Sequence, residues 1–190
     1  MPPLSNSQIN LLIPLYNEEE VFGELTARLA AVMDRSDLRM SVIMVDDGSR
    51  DRTAELMRRQ SLADGRFTSV FLSRNFGHQL ALTAGMSCVD ATEGVLILDG
   101  DLQDPPELIE EFYPYLNEGY DVVYAVRKKR KESAFKTASY KLFYLLLKKI
   151  AYLDIPLDSG DFSLVSRRVV DELNGMTERS RFLRGMRSWV

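Results

Sequence analysis

Five short apolar runs, spaced by segments with helical periodicity, restrict this 190-residue chain to one class of architecture. The runs are INLLIPL (9–15), SVIMV (41–45), TSVFL (68–72), GVLIL (94–98) and DVVYAV (121–126). Between the first two, Val21, Leu25, Leu29 and Val32 recur at helical spacing and predict a helix over Glu18–Asp34. A helix is predicted from Thr53 to about Leu62, after cap residues Ser49, Asp51 and Thr53, and another over Gly77–Val89. In DPPELIEEF, Asp104 is expected to cap a helix, with Pro105 as its first residue and Glu107 as the capping-box partner. Apolar strands alternating with helices indicate an α/β domain: a mostly parallel, Rossmann-like sheet with helices on both faces. The length suits one such domain over residues 1–190, without internal repeats or a clear linker.

Polar clusters follow each run: PLYNE, DDGS, SRNFGH, DGDLQD and RKKRK. In open parallel sheets ligands bind outside the carboxyl ends of the strands, so these clusters mark the expected active site. The segment LILDGDLQDPPE is the most demanding, with Asp99, Asp101, Asp104 and Glu107 within nine residues. Residues two apart in extended backbone point the same way, so Asp99 and Asp101 would repel unless a cation sits between them. A hard divalent ion, Mg²⁺ or Mn²⁺, meets that need, and Gln103 can add a neutral oxygen. Gly100 permits close backbone approach. Asp47, after the second strand, is placed to accept from a base or ribose edge. Neither G-x-G-x-x-G nor G-x-x-x-x-G-K-[ST] is present, which argues against a dinucleotide fingerprint and a P-loop.

Charge is unevenly spread. Arg127 to Ile150 holds nine Lys or Arg and one acid, a local +8 in a chain of net charge −4. That block is expected to face a phosphate or an anionic lipid surface. Within it Phe135, Leu142, Phe143, Leu146, Leu147 and Ile150 fall largely on one helical face. An interfacial membrane helix and a core-packing helix with solvated lysines both fit that pattern. A pI of about 5.2 makes nucleic acid a poor partner. No apolar run reaches the roughly 18 residues that span a bilayer, and no signal-peptide pattern opens the chain. The lone cysteine, Cys88, reads as a small core residue. The lone histidine, His78, reads as a helix-start residue near the expected active site rather than a metal ligand.

The ordered set IPLYNEEE, VDDGSRDRT, LDGDLQDPPE and DSGDFSLVSRRV resembles family-two glycosyltransferases of the GT-A fold. SRNFGHQLALTAG and RSRFLRGMRSWV resemble in particular the polyprenyl-phosphate sugar transferases of the bactoprenol branch; dolichyl-phosphate mannose synthases are also similar. The resemblance runs from Ile9 to Val190. It implies a nucleotide-sugar donor, a divalent metal and a polyprenyl-phosphate acceptor. Matched by motif, Pro14, Tyr16, Glu18, Val45 and Asp47 would line the nucleoside pocket together with Asp99 and Gly100. Asp99, Asp101 and Gln103 would form the metal site. Arg127, and less securely Lys136 and Ser139, would hold the acceptor phosphate. Asp161 would be the catalytic carboxylate beside the metal-site Asp101, with Asp158 as its rival. The family form D-A-D is D-G-D here.

The resemblance thus implies a metal-dependent enzyme that transfers a sugar, with inversion, from a nucleotide sugar, UDP-linked by expectation, to a polyprenyl phosphate. Its expected place is the cytoplasmic face of the plasma membrane. Such enzymes usually continue past RGMRSWV into membrane helices, so the chain is expected to be a catalytic domain truncated before them. A homo-oligomer, a non-catalytic sugar-nucleotide-binding module and a polysaccharide acceptor stay open as alternatives. The Q-x-x-R-W signature of processive synthases is not matched, since GMRSW lacks the glutamine.

Overall fold

In the computed structural model the described residues are 7–126, 159–178, 181–187 and 189–190. Strand β1 (Ile9–Leu15) and strand β2 (Met40–Asp46) are buried at every position. Helix α1 (Phe22–Arg35) joins them, and α2 (Thr53–Ala63) leads to β3 (Phe67–Phe71). Helix α3 (His78–Met86) precedes β4 (Gly94–Ile97). A single 3-10 turn (Pro106–Leu108) opens α4 (Ile109–Asn117), followed by β5 (Val122–Val126). Strand β6 (Ser159–Ser166), α5 (Arg167–Gly175) and the short α6 (Leu183–Arg187) complete the described chain.

Strand period explains how two layers of helix cover one sheet. Ile9, Leu11, Ile13 and Leu15 of β1 face the side closed by Phe22, Leu25 and Leu29 of α1 and by Ile109 and Phe112 of α4. Leu12 faces the other side, with Ala81, Leu82 and Met86 of α3 and Val169, Val170 and Leu173 of α5. The same alternation divides β2 and β4 between the two cores. Burial on both faces is what makes the runs read as continuously apolar.

The six strands lie in the order β3-β2-β1-β4-β6-β5. Strands β1 to β4 pair in parallel with one another, whereas β6 is antiparallel to both β4 and β5. The sequence reading placed five strands and missed β6. Its run SGDFSLVS carries polar residues at each end, and an internal strand flanked on both sides hides its own periodicity. Because β6 runs against β4, its first residues lie where the parallel strands end. Ser163 is opposite Ile97, so two further residues along the ladder bring Asp161 level with Asp99. Chain order reverses at β1, which has β2 on one side and β4 on the other, the switch point where an open sheet forms a crevice.

Three local expectations are corrected. Helix α1 begins at Phe22, not Glu18, because Glu18–Glu20 belong to a loop tied to the next one. The expected capping box at Asp104 and Glu107 is not made: the residue before the 3-10 turn is Pro105, without a side-chain cap. Glu107 instead takes two hydrogen bonds from Arg28, and buried Asp104 accepts the Asp99 backbone N–H at 3.4 Å. Cys88 is exposed rather than in the core, since α3 ends at Met86 and the chain turns outward there.

Candidate active site

Two loops at the carboxyl edge are sewn together by their own polar atoms. Ser49 Oγ accepts the Asn17 N–H at 3.0 Å, Thr53 Oγ1 accepts that of Glu18 at 2.8 Å, and Asp51 accepts that of Glu19 at 3.2 Å. In return Asn17 Oδ1 accepts the Arg50 N–H and Glu19 Oε2 that of Arg52, both at 2.8 Å. The residues read as helix caps thus mostly join loop to loop, although Asp51 Oδ1 also accepts the Thr53 N–H at 3.0 Å. This fixes the ends of β1 and β2 as one rigid rim.

Asp47 organises a third loop. Its carboxylate is buried and accepts the backbone N–H of Phe76 at 2.7 Å and of Gly77 at 2.9 Å. Gly48, at φ +69°, lets the turn after β2 lie directly on the Arg74–Asn75 backbone. Gly77, at φ +94°, then starts α3 with His78 turned inward. Replacing Asp47 by Ala would leave two amides without their acceptor. The expected result is a loss of about 2–6 kcal/mol of stability, at roughly 1–3 kcal/mol per orphaned donor, together with weaker nucleotide binding. Chemical denaturation with UDP titration of the folded protein checks both effects, and Asp47→Asn should retain part of each.

Between these loops lies a cavity of about 300 Å³ lined by Pro14, Tyr16, Glu18, Asp47, Asn75, Gly77, His78, Asp99, Gly100 and Asp101, among others. Seven of the expected site residues therefore line one cavity: Pro14, Tyr16, Glu18, Asp47, Asp99, Gly100 and Asp101. Val45 is fully buried and packs in the core with Leu12 and α3, so it supports the cavity from beneath. Gln103 is exposed and is not part of the wall; its backbone N–H donates to Asp101 Oδ1 at 3.0 Å.

The wall is crowded with negative charge. The carboxyl group of Asp99 is pushed above its ordinary range, first by burial and then by Asp104, Asp161 and Asp101, against the lowering effect of His78. Glu18 is raised for the same reasons: burial first, then Asp101, Asp51 and Asp99. Such mutual repulsion is what a bound cation relieves. Among the described residues no group of three or more His, Cys, Asp or Glu forms a complete metal cage. Two carboxylates suffice for an ion that takes its remaining ligands from phosphate and water, as Mg²⁺ commonly does. The donor set of Asp99 and Asp101 fits such an ion.

Asp161 adjoins His78 of the cavity lining and is held by three side chains. His78 Nε2 lies 3.2 Å from its Oδ2 and 3.8 Å from Asp99 Oδ1. Arg184 Nη2 lies 3.4 Å from Oδ1, and Gln79 Nε2 donates to Oδ2 at 3.5 Å. Burial alone would raise the Asp161 carboxyl pKa, but the His78 hydrogen bond and the charges of Arg184, His78 and Arg187 together bring it below the usual range. The His78 imidazole is correspondingly raised, chiefly by its bond to Asp161. His78 starts α3 as the sequence indicated. Its two carboxylate neighbours, and the parts of Gln79, Arg184 and Arg187, were not foreseen. Arg187 is buried and donates to the carbonyls of Gly160 and Asp161 and to Ser163 Oγ, at 2.8, 3.3 and 2.5 Å. The motif RSRFLRGMRSWV was the available signal. Arg127, Lys136, Ser139, Asp158 and the basic amphipathic segment lie outside the described residues.

A family profile described as glycosyl transferase family 2 matches residues 11–173. The chain is 47% identical over 184 residues to a Bacillus subtilis protein named uncharacterized glycosyltransferase YkcC, covering 96% of this chain and 57% of that one. It is 35% identical over 185 residues to an undecaprenyl-phosphate 4-deoxy-4-formamido-L-arabinose transferase of Pseudomonas syringae, covering 96% and 54%. The chain thus spans little more than half the length of these curated relatives. Among solved structures, the mannosyltransferase PcManGT of Pyrobaculum calidifontis, in complex with GDP-Man and Mn²⁺, superposes with a TM-score of 0.67 at 19% identity over 98% of this chain and 52% of that one. Staphylococcus aureus TarS 1–349 with UDP-GlcNAc gives 0.62 at 17% identity over 96% and 53%. At these identities the likeness establishes the fold, that of GT-A glycosyltransferases.

Proposed function

Because the chain belongs to glycosyl transferase family 2, we propose that it is the catalytic domain of an inverting transferase that moves a sugar from a nucleotide sugar to a polyprenyl phosphate. The observation that carries this reading is the cavity at the β1 switch point, where Asp47 on one side and Asp99 with Asp101 on the other border a single space. A nucleoside would take the Asp47 side, and its diphosphate the Asp99–Asp101 side. The undecaprenyl phosphate in the name of the Pseudomonas relative supports the acceptor, and the +8 block from Arg127 to Ile150 supports an anionic membrane surface as its site. On this reading the protein works at the cytoplasmic face of the plasma membrane. Among the described residues no helix is long and apolar enough to cross a membrane.

The reaction displaces the nucleoside diphosphate from the anomeric carbon by a phosphate oxygen of the acceptor. The bond to the diphosphate breaks as the new carbon–oxygen bond forms on the opposite face, which inverts the centre. Asp99 and Asp101 would hold Mg²⁺ or Mn²⁺, which when bound supplies neutralising charge to the leaving diphosphate. The acceptor phosphate is already largely ionised near neutral pH, so little proton abstraction is needed. Asp161, kept ionised by His78 and Arg184, orients the sugar and stabilises positive charge on its ring. Arg127, with Lys136 and Ser139, would hold the acceptor phosphate in line. The test is a lipid-linked sugar assay with undecaprenyl phosphate and a panel of UDP- and GDP-sugars, using the protein with its membrane-associated segments. Labelled lipid product with a single donor supports the reading, whereas donor binding without any lipid product rejects the acceptor.

A further inference from the structure

The D-G-D-L-Q loop holds a backbone conformation that its sequence does not favour. Leu102 sits at φ +63°, in the left-handed region that strains an L side chain. That twist comes one residue after Asp101 and gives the loop the course it follows past the cavity wall. Asp101 Oδ1 secures it from the front by accepting the Gln103 N–H.

The support from behind comes from a different element. Arg28, in the middle of α1, does not line the cavity. Its Nε and Nη2 donate to Glu107 Oε1 and Oε2, both at 2.8 Å, a bidentate pair with fixed orientation. Its Nη1 also donates to the Leu102 carbonyl at 3.5 Å. One guanidinium therefore holds two points of the segment that follows Asp101: the strained residue next to it and the 3-10 turn five residues later. The Leu102 side chain packs against the core beside α1, which closes the same bracket. Glu107, whose sequence position suggested a helix cap, is the anchor of this clamp. The pair is partly exposed, with side-chain exposures of 34% and 40%, so its worth to global stability is small. A partly exposed ion pair between a back-face helix and the loop bearing the Asp99–Asp101 pair has more to gain by setting geometry than by adding stability.

We propose that Arg28 and Glu107 are positioning residues for the metal site: they hold the Leu102 twist and so fix Asp101 toward its cation. This rests on the functional reading above. Groups that orient metal ligands from outside typically change metal affinity 10- to 100-fold when removed.

The experiment is isothermal calorimetry of UDP binding as a function of Mn²⁺ concentration, on wild type, Arg28→Met, Glu107→Gln and the double variant. Methionine keeps the apolar stem, and glutamine keeps the shape of the acceptor, so the fold survives in at least one single variant. The expected result is a Mn²⁺ midpoint raised about 10-fold or more in each single variant. UDP affinity in EDTA should stay within about 2-fold of wild type. The double variant should be no worse than the worse single one, because both residues act through one clamp. Wild-type Mn²⁺ midpoints in the folded variants would overturn the inference while leaving the functional reading in place. So would an equal loss of UDP affinity with and without metal, which marks a merely structural pair. UDP binding by wild type that ignores Mn²⁺ overturns both, since there is then no metal site to position.

Discussion

Asp161→Asn is expected to lower sugar transfer by about 100- to 1,000-fold while leaving UDP binding within about 2-fold. An antiparallel strand beside β4 delivers its first residues to the carboxyl edge, so Asp161 arrives level with Asp99 although 62 residues separate them in sequence. There His78, Gln79 and Arg184 all address its carboxylate, and the net effect keeps it ionised below the usual carboxylate range. Asparagine retains the shape and some of these hydrogen bonds but removes the charge. If the role is to stabilise a positively charged sugar ring, the loss falls on turnover and spares donor affinity. The lipid-linked sugar assay measures the first, and calorimetry the second. Transfer within 10-fold of wild type would make Asp161 a structural residue and turn attention to Asp158.

Gly48→Ala is expected to be the most destabilising single methyl in the molecule's active-site rim. A Cβ there would sit 2.3 Å from the Arg74 carbonyl carbon and 2.5 Å from the Asn75 nitrogen, both backbone atoms that cannot swing aside. The positive φ of +69° adds its own strain. Together these costs come to about 2–5 kcal/mol, the sum of overpacking and left-handed strain. For a chain of this size that lowers the melting temperature by roughly 4–20 °C. Gly77→Ala supplies the comparison, because φ is again positive at +94° but nothing lies within 4 Å of the new Cβ. Its cost should be backbone strain alone, about 1–3 kcal/mol, since φ +94° with ψ 154° lies in a region nearly confined to glycine. The Gly48 variant should also loosen the Asp47 bonds to Phe76 and Gly77 and so weaken nucleotide binding. Equal melting temperatures for the two variants would show that the 74–75 backbone yields easily.

Much of this was open to reading along the chain, for identifiable reasons. Strands β1 and β2 are buried on both faces, so their apolar runs stand out with nearly correct ends. The polar clusters at Asp47 and at Asp99–Asp101 follow strands directly, and position at a strand's carboxyl end survives folding. What stayed hidden depends on long-range contact. Strand β6 carries Gly, Asp and Ser among its apolar residues and becomes a strand only because β4 and β5 flank it. Arg187 and Arg184 reach Asp161 from a helix more than 20 residues downstream, and no local period reports that. Glu107 shows how a local rule can mislead: its spacing from Asp104 fits a capping box, yet a guanidinium from α1 wins it with two charge-assisted hydrogen bonds. Cys88 looks apolar in sequence but lies just beyond the end of α3 and faces solvent.

The central claim is that Asp99 and Asp101 form, with the nucleotide, one metal-dependent donor site. Calorimetry of UDP binding in Mn²⁺ against EDTA, for wild type and Asp101→Ala, addresses it most directly. The account predicts tighter binding with Mn²⁺ for wild type and no difference between the two conditions for the variant. Equal affinity in Mn²⁺ and EDTA for the wild-type protein would contradict it.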